Sequence, residues 1–160
     1  MPKPEWKSEI GSCFDDLRIL EKCRSEVNAY FARFYESVAE PAFSVLAGEF
    51  KRFKVRCRYE RAKDNLCRIE ASFPGRREPQ YEYSLWVPPK AVVFSLQLTV
   101  QGRTAPRGKI MEKTFPFLQS LPIEEILAML PDDLAHDFVA RYKRFVTAAA
   151  LTPDGTPETP

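Results

Sequence analysis

Residues 52–63, RFKVRCRYERAK, alternate charge with bulk. Arg52, Lys54, Arg56 and Arg58 take the even positions, and Phe53, Val55, Cys57 and Tyr59 the odd ones. A period of two sends successive side chains to opposite faces, so the stretch predicts a β-strand with one apolar and one cationic face. The same period runs on to Phe117 and divides this segment into five strands, roughly Phe50–Glu60, Leu66–Phe73, Tyr81–Val87, Val92–Gln101 and Ile110–Phe115. The separators RAKDN, PGRREPQ, PPKA and GRTAPRGK carry turn-forming residues and are short enough for an antiparallel meander.

Outside this segment the period is helical. From Ser12 to Glu40, the residues Cys13, Leu17, Leu20, Val27, Phe31, Phe34 and Val38 follow a three-and-four spacing that only Arg24 breaks. Ser12 is placed to cap this helix, with Asp15 and Asp16 in its first turn. Pro41 ends or kinks it, and PAFSVLAG reads as a short added helix with Gly48 as its stop. From Leu121 the helical spacing returns through Ile123, Ile126, Leu127, Leu130, Leu134, Phe138, Tyr142 and Phe145. Pro122 and Pro131 suit first-turn positions.

Runs of helix and runs of strand are thus segregated, which predicts an α+β domain over residues 11–149. Its expected form is a five-stranded antiparallel meander sheet with a long N-terminal helix and a C-terminal helical segment packed on one face. Residues 1–10 and 150–160 are polar and proline-rich and read as disordered tails.

The totals bound the class. With 44% hydrophobic and 29% charged residues in 160, the chain reads as one ordinary globular domain. No apolar run is long enough to span a membrane, and the N-terminal MPKPEWKSEIG has no apolar signal region. A cytoplasmic location is the expectation. Cys13, Cys23, Cys57 and Cys67 include no C-x-x-C pair, and the chain has one histidine, so neither a metal nor a cofactor is expected. The thiols read as reduced and buried.

Charge is unevenly divided. Residues 1–50 carry 6 Lys/Arg against 9 Asp/Glu, residues 51–113 carry 15 against 6, and residues 114–160 carry 3 against 7. A cationic sheet segment lies between acidic flanks.

Register sharpens this picture. Pairing Cys57 with Cys67 and Val55 with Ile69 puts both apolar sets on one face, and sets Arg56 opposite Arg68 on the other. Pairing Ile69 with Leu85 then puts Trp86 beside Arg68, giving an outward row Arg56–Arg68–Trp86. In a meander, alternate loops share an end of the sheet. Arg76 and Arg77 therefore join Arg103, Arg107, Lys109, Lys51 and Arg52 on one rim. The candidate binding residues are Arg52, Lys54, Arg56, Arg68, Trp86, Arg76, Arg77, Arg103, Arg107 and Lys109.

Catalytic patterns are missing. The chain has no G-x-G-x-x-G, no Walker-type loop and no G-x-S-x-G. His136 points away from the Leu134–Phe138 stripe and reads as a surface ion pair with Asp132 or Asp133. The pairs Asp15/Asp16, Glu124/Glu125 and Asp132/Asp133 are accounted for by helix starts. The expected function is a non-catalytic interaction domain whose basic sheet face and loop rim engage an acidic protein partner, as an adaptor, chaperone-like or inhibitor subunit. The alternative is a nucleic-acid-binding domain without sequence specificity, using the same surface, and a small enzyme ranks third. Aromatics on several sides of the N-terminal helix, Phe14, Tyr30, Phe31, Phe34 and Tyr35, also suggest a homodimer through that helix.

Overall fold

The computed structural model describes residues 5–63 and 65–151. A helical rod comes first: α1 (Glu5–Phe34), one π-helical turn (Tyr35–Ala39) and α2 (Glu40–Lys51). Helix α1 begins at Glu5, inside the stretch expected to be a tail and well before Ser12. Pro41 neither ends the rod nor breaks it. Its ring would press on the carbonyl four residues back, and the wider π turn, in which Glu40 N–H donates to Tyr35 O, makes room.

Gly48 does not stop α2, which continues to Lys51. Its end is a Schellman cap. Val55 N–H donates to Phe50 O at 3.1 Å and Lys54 N–H to Lys51 O at 3.0 Å, with Lys54 left-handed at φ 61°. Residues 50–54, expected to open the first strand, are therefore the last turn and cap of a helix. Phe53, expected to face inward, is 74% exposed.

Five strands follow, β1 (Cys57–Ala62), β2 (Leu66–Ser72), β3 (Pro79–Trp86), β4 (Leu96–Gly102) and β5 (Met111–Phe117). They form one antiparallel sheet in sequence order. The short α3 (Ile123–Leu127) and the long α4 (Pro131–Leu151) complete an α+β fold. Phe31, Phe34 and Phe43 of the rod, Ile69, Tyr83, Leu85 and Leu98 of the sheet, and Leu134 and Phe138 of α4 are all fully buried. Phe138 is the hub, with ring centroids 5.4–6.1 Å from Phe50, Tyr81, Tyr83 and Tyr142.

One polar cluster ties α4 to the sheet. The Tyr83 hydroxyl donates to Asp137 Oδ2 at 2.6 Å, and Arg141 Nε donates to the same oxygen at 2.8 Å. The Arg141 guanidinium lies 4.4 Å over the Phe115 ring.

The thiols divide. Cys67 is buried and Cys57 half-buried, but Cys13 is exposed, because α1 extends beyond the body there. Burial pushes the Cys67 thiol from its ordinary value of 9.0 up to about 12. The sign follows. Below pH 9 both folded and unfolded thiols are neutral. As pH rises from 9 towards 12 the unfolded chain releases this proton and the folded one does not, so stability falls. Cys67 therefore costs stability as pH rises above 9, and urea midpoints should drop between pH 9 and about 10.5. Cys67→Ala should make that drop shallower; the same drop in the variant refutes the assignment.

Candidate functional site

The outward sheet face does not carry the expected row. β1 pairs Arg58 with Glu70 and Glu60 with Arg68, four residues from the expected register. β2 and β3 are offset by two, so Arg68 faces Ser84, and Trp86 faces Leu66. Arg56, just before β1, meets neither Arg68 nor Trp86.

The cause is local. A slip by an even number of residues keeps every side chain on its face, so hydrophobic alternation is blind to it. The observed register replaces an arginine–arginine pair with opposite charges, giving Arg58–Glu70 at 3.0 Å, Arg68–Glu60 at 2.5 Å and Arg68–Glu82 at 3.3 Å. It also closes the hairpin with three residues, 63–65, the last of which, Asn65, sits at φ 55°. Asparagine tolerates that left-handed position, and its Nδ2 donates to Asn28 Oδ1 of α1 at 2.6 Å.

Two charged rows cross the outward face. One runs Arg58, Glu70, Glu82, Gln101, Glu112; the other runs Glu60, Arg68, Ser84, Thr99, Thr114. Together they hold two arginines and four glutamates, with Gln101 Nε2 donating to Glu82 at 2.8 Å. Trp86 is half-buried and donates its indole N–H to Thr99 Oγ1 at 3.0 Å. Arg68 and Trp86 are therefore occupied within the sheet.

The loop rim keeps the expected topology. The β2–β3 loop, the β4–β5 loop and the entry to β1 share one end of the meander. Gly75 N–H donates to Lys54 O at 3.2 Å, and Arg103 N–H to Gln80 O at 2.9 Å, so backbone bonds hold the loops to their neighbours. Gly75 is left-handed at φ 72°, which lets the first loop turn beneath Lys54. Lys54, Arg56, Arg76, Arg77, Arg107 and Lys109 are exposed and Arg103 is half-buried. Of the ten candidate residues, Arg52 forms an ion pair on this rim, with Glu49 at 3.1 Å, and Arg68 forms its own on the sheet. Lys54, Arg56, Arg76, Arg77, Arg103, Arg107 and Lys109 have no salt bridge among the described residues. A shallow concavity of about 200 Å³ lies between Gln80, Gly102, Arg103, Pro106 and Ile110, with Glu78 and Glu82 in its walls.

Sequence reasoning missed two rim residues, Phe53, displaced outward by the Schellman cap, and Ile110, which is 46% exposed. The signal for Phe53 was available, since FKRFK at 50–54 is compatible with a closing helical turn.

Elsewhere, His136 is exposed and makes no salt bridge to Asp132 or Asp133. Glu124/Glu125 and Asp132/Asp133 stand in the first turns of α3 and α4. Among the described residues no three or more His, Cys, Asp or Glu side chains are grouped to hold a metal ion, and no helix is long and apolar enough to cross a membrane. No protein-family model, curated protein or solved structure matches the chain.

Proposed function

We propose that the protein is a non-catalytic binding domain whose cationic loop rim engages an acidic protein segment. The observation that carries this reading is the contrast between two sets of arginines. Those on the sheet are neutralised by Glu60, Glu70 and Glu82, whereas Arg76, Arg77, Arg103 and Arg107 on the rim have no ion-pair partner among the described residues. Unpaired cations on backbone-anchored loops attract and orient an anionic partner at little ordering cost. Phe53 and Ile110, exposed beside them, supply apolar anchors of the kind that protein interfaces bury.

The same features weigh against nucleic acid. A single strand needs a stacking platform along a cationic groove, and here the open sheet presents four glutamates and a tryptophan already bonded to Thr99.

The test is a fluorescence titration with two probes, a peptide of alternating Glu and Leu and a single-stranded oligonucleotide, at about 50 and about 300 mM salt. The peptide should bind, more weakly at high salt, and Arg103→Glu/Arg107→Glu should abolish binding with the circular dichroism unchanged. Phe53→Ala should weaken it several-fold. Binding of the oligonucleotide alone would transfer the rim to nucleic acid, and binding of neither probe refutes the proposal.

A further inference from the structure

Every residue of α1 from Glu5 to Ile19 is exposed, so the helix projects from the body as an arm. Along it Trp6, Ile10, Cys13, Leu17, Leu20, Arg24, Val27, Phe31 and Phe34 repeat with spacings of four and three throughout, the seam of a coiled coil. The lower seam, Val27, Phe31 and Phe34, is buried in the protein's own core. From Trp6 to Leu17 the upper seam is bare, with Trp6 58% and Ile10 49% exposed and Phe14 beside it 60% exposed, while Leu20 and Arg24 are half-buried and Arg24 Nε donates to Lys90 O at 3.3 Å. With Ser8, Gly11 and Ser12 in its sequence, so short a lone helix is marginal in water without a packing partner.

We propose that this bare seam pairs with the same seam of a second copy, antiparallel, about a two-fold axis near Asp15. In that register Trp6 faces Arg24 of the other copy, Ile10 faces Leu20 and Cys13 faces Leu17. All six seam positions are then paired, and each of the three pairs occurs twice. Arg24, the one break in the apolar spacing, keeps its Nε bond to Lys90 O and sets its guanidinium against the Trp6 ring of the other copy. On one flank Lys7 meets Glu21 of the other copy, and Phe14 meets Phe14 across the axis. Asp16 against Asp16 on the other flank is the single unfavourable contact.

A parallel pairing is worse. It stacks Arg24 on Arg24 and sets Asp16 against Glu21 on both flanks. A lipid surface also fits poorly, because Glu5, Glu9, Asp15, Asp16 and Glu21 outnumber Lys7, Arg18 and Lys22, whereas interfacial helices are rich in Lys and Arg. The paired stretch, from Trp6 to Arg24, is about 27 Å long and buries on the order of 1,200 Å² in total. That is the lower edge of a specific interface, so the dimer is weak.

Light scattering from about 1 to about 200 µM protein should show a concentration-dependent dimer. Ile10→Asp should be monomeric throughout while keeping its near-ultraviolet dichroism. Glu21→Lys should weaken dimerisation about fivefold, and Lys7→Glu/Glu21→Lys should restore it. Mild oxidation should cross-link Leu17→Cys to Cys13 of the other copy. A monomer at the highest concentration, a wild-type Cys13–Cys13 cross-link or a stronger dimer in Glu21→Lys overturns the proposal. So does binding to phosphatidylcholine/phosphatidylserine vesicles that Ile10→Asp abolishes in a protein that stays monomeric. The rim is untouched by these variants, so peptide binding by Ile10→Asp keeps the two proposals separately testable.

Discussion

Phe138→Ala should destabilise the protein by about 3–5 kcal/mol. Phe138 is wholly buried, and its ring meets four aromatic partners drawn from α2, β3 and α4 itself, Phe50, Tyr81, Tyr83 and Tyr142. These partners sit on a sheet and two packed helices, so they cannot collapse far into the space left behind. The cavity cost therefore adds to the lost burial. Against a total stability of about 5–15 kcal/mol, the variant is unfolded or close to it at 37 °C. Urea unfolding should show the midpoint fall with an unchanged slope. Phe138→Leu should recover more than half of the loss. A cost under about 1.5 kcal/mol for Phe138→Ala would mean that α4 does not seat on the sheet as described.

Asp137→Ala should cost about 2–3 kcal/mol, although Asp137 is only half-buried. Its Oδ2 accepts from both the Tyr83 hydroxyl and Arg141 Nε. Arg141 can turn to water when the carboxylate is lost. The Tyr83 hydroxyl has no such route, because the residue is fully buried at the centre of the sheet. The penalty is thus mainly that of an orphaned buried donor, and a double-mutant cycle isolates it. Tyr83→Phe alone should cost about 1 kcal/mol, yet in the Asp137→Ala background it should be neutral or stabilising, since it removes the orphan. Additive costs in the cycle would show that the bond contributes nothing.

Strand number and strand order were legible, as were the faces of the paired residues of β2, because a period of two is a strong, local signal. The register was not. Cys57 opposite Cys67 and Cys57 opposite Ala71 are equally good to a pattern that sees only faces, and the choice fell to Glu60, Glu70 and the left-handed Asn65. The junction at residues 50–54 was misread for a related reason. Over five residues, FKRFK satisfies both a strand alternation and a helical turn, and packing of Phe50 against Phe138 and Tyr142 selects the helix. Asp137 was invisible as a tether, since its partner Tyr83 lies 54 residues away in sequence.

By itself, then, the sequence determined an α+β chain, an amphipathic five-strand meander, a long amphipathic first helix and a cationic middle. Each of these follows from residue types and short-range spacing. Only the tertiary structure decided which cations are neutralised, that Phe53 stands outward on the rim, and where α1 leaves the body with its seam uncovered. Those outcomes depend on pairing across the sheet and on helix packing, where distant residues compete for the same neighbours.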